Sequence, residues 1–202
     1  MGVSQVLINK ILVGEFYTMK KIITLNKKDG SKVKAVIKIL DISYIDKILD
    51  LQQEIYDLLE QKEFYSCSNR EDFEKNLNVR GKIIGCITEE TDELVAIGVY
   101  AKFEYGEENY GHDLDIKGED LLQVANFEST IVHPEYRGNS LQKIIIENLE
   151  ELAKADNIKC IGVTAAPDNK YSVENIKKLG FEIVKEKIKY GGLKRYVFRK
   201  NI

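Results

Sequence analysis

From Lys32 to Leu40 the chain alternates, KVKAVIKIL, with Val33, Ala35, Ile37 and Ile39 on one face. A period of two predicts a strand. Asp41 follows where it can cap a helix, and Ile45, Ile48, Leu49, Ile55, Leu58 and Leu59 recur at helical spacing to about residue 60. Ser68 to Glu71 fits the capping-box spacing and opens a second, shorter helix ending near Asn78. Three strands are predicted next: Lys82–Thr88, Leu94–Phe103 and Val124–Val132, the first two joined at Asp92-Glu93. Glu104 to Asp120 is a polar, glycine-containing stretch, long for a loop and therefore a candidate for function.

Leu141 to Ala155 carries Leu141, Ile144, Ile145, Leu149 and Leu152 on one face and predicts an amphipathic helix. Lys159–Ala165 is a strand. Ser172 caps a further helix that stops at Gly180, a residue that tolerates the left-handed backbone of a helix end. Phe181–Lys189 and Lys194–Arg199 form a hairpin about Gly191-Gly192. With no repeat or linker, the order β-α-α-β-β-β-α-β-α-β-β describes a single mixed α/β domain over residues 19–202. Residues 1–18 lack the basic start and cleavage site of a signal peptide. Met19 opens a natural start, MKKIITLNKKDG, and Gly14-Glu15 admits the purine-rich codons that precede bacterial starts. Residues 1–18 are read as an extension from an over-called start, the alternative being a real strand or helix packed on the domain.

Composition narrows the class. A chain of 202 residues, 44% hydrophobic and 31% charged, suits one soluble globular domain. No apolar run approaches the roughly 18 residues needed to span a membrane, so no membrane partner is expected. A net charge of −3, with five arginines and scattered lysines, argues against a nucleic-acid surface. Cys67, Cys86 and Cys160 are odd in number and lack C-x-x-C spacing. They read as reduced thiols of a cytoplasmic protein. Neither His112 nor His133 has a partner at ligand spacing, so no metal is expected.

The stretch HPEYRGNSLQK, residues 133–143, links a strand to a helix. Main-chain N–H groups at a helix start lack intrahelical partners and face the positive end of the helix dipole, so such a turn can hold a phosphate through its amides. Ordinary helix starts share this arrangement. The second segment, PDNKYSVENIKKLGF at residues 167–181, is more specific when paired with the first. Together xVHPEYRGNxLQ and PxNxxSxxNxxxLGF resemble the GCN5-related N-acetyltransferase (GNAT) family, with agreement in element order over residues 33–200.

The resemblance implies a mostly antiparallel mixed sheet of about six to seven strands, flanked by about four helices and splayed between the fourth and fifth strands. It implies acetyl-CoA as co-substrate, its pyrophosphate wrapped by the main chain of Arg137, Gly138, Asn139, Ser140, Leu141 and Gln142. The family pattern carries Gly at the position of Ser140 and Gly or Ala at that of Gln142, and this chain departs from it at both. Ser140 keeps its amide and adds a hydroxyl. Gln142 is read either as a further donor to the anion or as the partner of Asn139 in a helix cap. The resemblance also implies that backbone groups near Ile131 and Val132 orient the pantetheine and thioester. Asn169 and Ser172 are implied at the cofactor, although capping alone also accounts for Ser172.

Glu128, four residues before Val132, matches a position that often holds the general base in similar enzymes, with Glu119 and Asp120 in reserve. The tyrosine that many members use as acid is Ile176 here. Tyr171 is the substitute candidate, with a structural role or a dispensable acid as alternatives. Tyr65, Tyr190 and Arg195 are implied to contact the acceptor, along with Tyr105, Tyr110, His112 and Tyr196. The expected activity is direct acetyl transfer to an amine of a small molecule or peptide. A non-catalytic acyl-CoA sensor is the alternative, and the oligomeric state, a homodimer included, stays open. A Rossmann-like nucleotide fold is a poor fit, because its glycine-rich turn follows the first strand.

Overall fold

The computed structural model describes residues 20–202, and the expectation for residues 1–18 lies outside them. In chain order the elements are β1 (Lys20–Asn26), β2 (Lys32–Ile39), α1 (Ile45–Asp57), α2 (Arg70–Asn78), β3 (Gly81–Thr88), β4 (Leu94–Ala101), α3 (Tyr110–Asp113), β5 (Val124–Val132), α4 (Leu141–Ala155), β6 (Cys160–Ala165), α5 (Lys170–Lys178), β7 (Glu182–Lys189) and β8 (Leu193–Asn201). They form an eight-stranded sheet in the order β1-β2-β3-β4-β5-β6-β8-β7. Every neighbouring pair is antiparallel except β5–β6.

The strand beyond the six or seven expected is β1, paired with β2 from Lys20↔Lys38 to Asn26↔Lys32. Its hairpin turn is set by Gly30 at φ 85° and by Asp29, whose carboxylate accepts the Ser31 N–H at 2.8 Å. At the centre of the sheet all of β4 is buried. A strand covered on both faces reads as a continuous apolar run. One face of the sheet packs Ile84, Cys86 and Phe127 with Leu141, Ile145 and Leu149 of α4 and Val173 and Ile176 of α5. The other packs Ile83, Ile87, Ile97 and Val99 with Ile48, Leu51 and Ile55 of α1 and Phe73 and Leu77 of α2.

Several local expectations shift. Asn69, rather than Ser68, caps α2 by accepting the Asp72 N–H at 2.9 Å. Ser68 instead exchanges two main-chain hydrogen bonds with the Gln52 amide, both at 2.9 Å. Asn169, rather than Ser172, caps α5, taking the Ser172 N–H at 3.1 Å. α1 stops at Asp57, which leaves Leu58 largely exposed. The long stretch before β5 is ordered by α3 and a helical turn at Gly118–Gln123. Buried Asn109 fixes it by donating to Glu104 O at 2.6 Å and Leu121 O at 3.1 Å. Among the described residues no helix is long and apolar enough to cross a membrane.

Candidate active site

The parallel pairing of β5 with β6 covers only Val124↔Cys160, Ala125↔Ile161 and Asn126↔Gly162. Beyond Asn126 the strands part, and they are the fourth and fifth of the strands that the sequence predicts. A bulge in β5 supplies the local reason. Ile131 faces Ile97 and Glu128 faces Val99, so Ser129 and Thr130 share the space opposite Gly98, and Ser129 takes φ 44°. A bulge bends its strand and adds twist, which turns the end of β5 away from β6.

At the end of β5, Pro134–Tyr136 forms a single tight turn that delivers the chain to α4. Gly138 at φ 91° and Ser140 at φ 56° both adopt the left-handed conformation. The amides of residues 138–142 make no hydrogen bond among the described residues, and the first turn of α4 carries no acidic side chain. Successive unpartnered amides at a helix start form an anion-binding concavity. A Cβ at Gly138 would meet nothing within 4 Å, so the approach to these amides is open. Arg137 is exposed beside them.

The side chains of the turn diverge. Gln142 Oε1 accepts from Asn175 Nδ2 of α5 at 3.1 Å, so it neither folds back to cap α4 nor pairs with Asn139. Asn139 turns away from the cleft toward β1, accepting Asn26 N–H at 2.9 Å and donating to Asn26 O at 2.8 Å and Tyr136 O at 2.9 Å.

Glu128 lies where the two strands begin to part. It keeps some exposure into the cleft, while its carboxyl group sits deep among protein atoms. Burial raises its pKa above the ordinary glutamate value, opposed by the Asn126 amide, the charge of Arg80 and the Tyr110 hydroxyl. Asn126 Nδ2 stands 3.3 Å from Glu128 Oε1 and also donates to Glu108 O at 2.9 Å. Asn126 Oδ1 accepts the Tyr110 N–H at 3.0 Å, so one buried amide fixes both α3 and the carboxylate. Tyr110 itself packs on β6 at Gly162, where a Cβ would fall 2.6 Å from Tyr110 Cβ.

Across the cleft, Tyr110 Oη meets Tyr190 Oη at 2.5 Å, and Tyr190 Oη also meets Thr164 Oγ1 at 2.9 Å. Tyr65 donates to Gln52 Oε1 at 3.0 Å, with Ser129 Oγ 3.1 Å away. Arg195 is buried and lies with its guanidinium carbon 5.6 Å from the Tyr190 ring centre.

The sequence-selected residues therefore line one cleft of about 1460 Å³, from Arg137, Gly138, Ser140, Leu141 and Gln142 through Ile131, Val132 and Glu128 to Tyr65, Tyr190 and Arg195. Asn169, Tyr171 and Ser172 line it from the start of α5, with Tyr171 88% exposed. Asn139 is left out through its side chain. Glu119, Asp120, Tyr105 and His112 are exposed on the preceding loop, and Tyr196 stacks edge-on against Phe198. Sequence reasoning missed Asn126 and Thr164. Asn126 was within reach, since it sits two residues before Glu128 and on the same strand face. Nothing local marks Thr164, which meets Tyr190 only through the fold.

Cys67 lines the cleft, and burial raises its pKa, as it does for Cys86, pushed up to about 12, and Cys160. Among the described residues no cluster of three or more metal-ligating side chains occurs.

The sequence profile described as the acetyltransferase (GNAT) family matches residues 45–181. A comparison with curated proteins finds no significant match. Among solved structures, the chain is similar to an acetyltransferase of the GNAT family from Streptococcus pneumoniae, with a TM-score of 0.62 and 16% identity over 83% of this chain and 99% of that one. An N-acetyltransferase from Staphylococcus aureus Mu50 gives a TM-score of 0.61 and 15% identity over 83% and 98% of the two chains. The ribosomal-protein-S18-alanine N-acetyltransferase of Escherichia coli gives 0.60 and 13% over 83% and 94%.

Proposed function

The chain belongs to the acetyltransferase (GNAT) family, and from that membership we propose that it moves an acetyl group from acetyl-CoA to an amine by direct attack in the cleft between β5 and β6. The observation that carries this reading is the alignment of three features along one cleft. Unpartnered amides at the start of α4 stand at one end, the unpaired edge of β5 lies in the middle, and a buried carboxylate sits where the strands part.

The residues fit an elongated, phosphate-bearing thioester. Five consecutive free amides and the exposed Arg137 suit a pyrophosphate. The gap beyond Asn126 and Gly162 leaves main-chain groups of β5 near Ile131 and Val132 to pair with a pantetheine arm and to meet charge developing on a carbonyl oxygen. When bound, acetyl-CoA supplies the activated acyl group. Gln142 and Asn175 tie α4 to α5 beside the amides, and Asn169 and Ser172 border the same end.

An ammonium cannot attack until it loses a proton, and Glu128 takes that proton. Its raised pKa makes it a stronger base than an exposed glutamate. The N–C bond then forms as the C–S bond breaks, the thiol would leave as thiolate, and the new amide nitrogen sheds its second proton to that thiolate or to solvent. Ile176, buried in the core, has no proton to give, and Tyr171 stands in solvent at the cleft mouth. We assign the thiolate a departure without a dedicated acid, so Tyr171→Phe is expected to keep kcat within about twofold. No acyl-enzyme is needed, because the raised thiol pKa of Cys67 makes it a poor nucleophile.

The test has two stages: thermal-shift titration with acetyl-CoA, then release of CoA thiol across an amine panel. Stabilisation with turnover is expected, and Glu128→Gln should lower kcat by about 10²–10⁴-fold. The buried Ile176 favours one second reading, an acyl-CoA sensor. Stabilisation with no turnover on any amine, and no effect of Glu128→Gln, would establish the sensor instead.

A further inference from the structure

The acceptor end of the cleft has two electrostatic poles. At one, Arg195 of β8 is only 3% exposed yet lines the cleft. Its guanidinium donates to two main-chain carbonyls, Lys194 O and Glu63 O, each at 2.8 Å. These use two of its five N–H donors, and among the described residues no carboxylate pairs with it. The neutral Tyr190 ring lies beside it, and burial lowers its pKa. Lys187 and Lys189 stand nearby on β7 and share the single carboxylate of Asp113. At this corner Asp113 is engaged by the two lysines and Arg195 has no ion-pair partner among the described residues, while Glu107, Glu108 and Glu128 line the cleft beyond it. A buried cation without a counter-charge is expensive to hold, and the carbonyls of Lys194 and Glu63 keep it against the cleft, where a ligand can supply the missing charge.

At the other pole is Glu128, the base of the proposed reaction. The Tyr110–Tyr190 hydroxyl pair links the poles: Tyr110 touches the Glu128 side, and the Tyr190 ring lies against Arg195. An amine drawn to Glu128 leaves the rest of its molecule near the positive corner. Arginine's planar fork matches a carboxylate in two parallel hydrogen bonds.

Resting on the transferase reading above, we infer that the acceptor carries a carboxylate as well as its amine, with Arg195 binding the carboxylate while the amino group faces Glu128. Free amino acids and short peptides with a free C-terminus share that chemistry, and the assay separates them.

The experiment compares matched pairs, each amine offered as carboxylate and as carboxamide, in a free amino-acid series and a dipeptide series, with CoA release as the readout. The expected result is a kcat/KM preference for the carboxylate of about tenfold or more in at least one series, and a fall of that ratio toward one in Arg195→Gln. Retained acetyl-CoA binding shows that the variant is folded. Equal use of both members, or a preference for the carboxamide, overturns the inference without touching the transferase reading. The matched pairs decide this in the wild-type protein even if Arg195→Gln does not fold. If acetyl-CoA binds and no amine turns over, the transferase reading fails. Calorimetry of the same carboxylates on the CoA-saturated protein then decides the inference: Arg195-dependent binding supports it, and no binding overturns it.

Discussion

Asn139 clasps the main chain of Asn26, taking its N–H at 2.9 Å and giving back a hydrogen bond to its carbonyl at 2.8 Å. The end of β1, outside the span of the family profile, thereby fastens the turn whose amides stand at the start of α4. Asn139→Ala removes these bonds, a further one to Tyr136 O and a longer one from the Asn26 side-chain amide at 3.4 Å. Loss of about 1–2 kcal/mol of stability is expected from urea unfolding. Acetyl-CoA should also bind several-fold more weakly by thermal-shift titration, although the Asn139 side chain points away from the cleft.

Ser140 holds φ 56° without a side-chain capping bond. Glycine adopts that conformation without strain, so Ser140→Gly should gain roughly 0.5–1 kcal/mol in stability and keep or tighten acetyl-CoA binding. Proline at this position would break the turn itself, because its ring fixes φ near −65°. Glycine is therefore the diagnostic change. Weaker binding with raised stability would assign a ligand to the serine hydroxyl.

The raised pKa of Glu128 ties activity and stability to pH in opposite directions. As a base it must be ionised, so the acid limb of kcat/KM should lie above the ordinary glutamate value of about 4.3 and vanish in Glu128→Gln. Folding favours the protonated carboxyl. The stabilisation from this group is fully present below the unfolded pKa and is lost as pH rises through the folded value. Glu128→Gln should thus raise Tm at about pH 7 while abolishing most turnover, and the gain should shrink as pH falls. Paired Tm and rate profiles check both arms.

Gly98 faces the bulge of β5 on one side and α4 on the other. A Cβ there would fall 2.4 Å from Ile145 Cγ2 and 3.2 Å from Leu149 Cδ1. Ile145 is buried and branched at Cβ, so it cannot swing aside. Gly98→Ala is expected to cost about 1–3 kcal/mol, read from denaturant unfolding. Gly138→Ala carries no such clash, and its penalty comes from φ 91° alone.

The sequence by itself determined the elements whose signal is local. Helical periodicity marked α1 and α4, alternation marked β2, and Gly191-Gly192 marked the last hairpin. Two motifs about thirty residues apart also located the turn at 137–142 and the start of α5. These depend on contacts within a few residues. β1 escaped because KKIITLN becomes a strand only by pairing with β2. The caps fell on Asn69 and Asn169 because neighbouring polar residues compete for one orphan amide, and tertiary packing chooses among them. Only the tertiary structure decided the chemistry at the centre of the cleft. Burial of Glu128, the Asn126 brace, the Tyr110–Tyr190–Thr164 contact and the isolated charge of Arg195 bring together residues from α3, β5, β6 and the β7–β8 hairpin. Desolvation and long-range proximity set those properties, and neither is written in the spacing of residues along the chain.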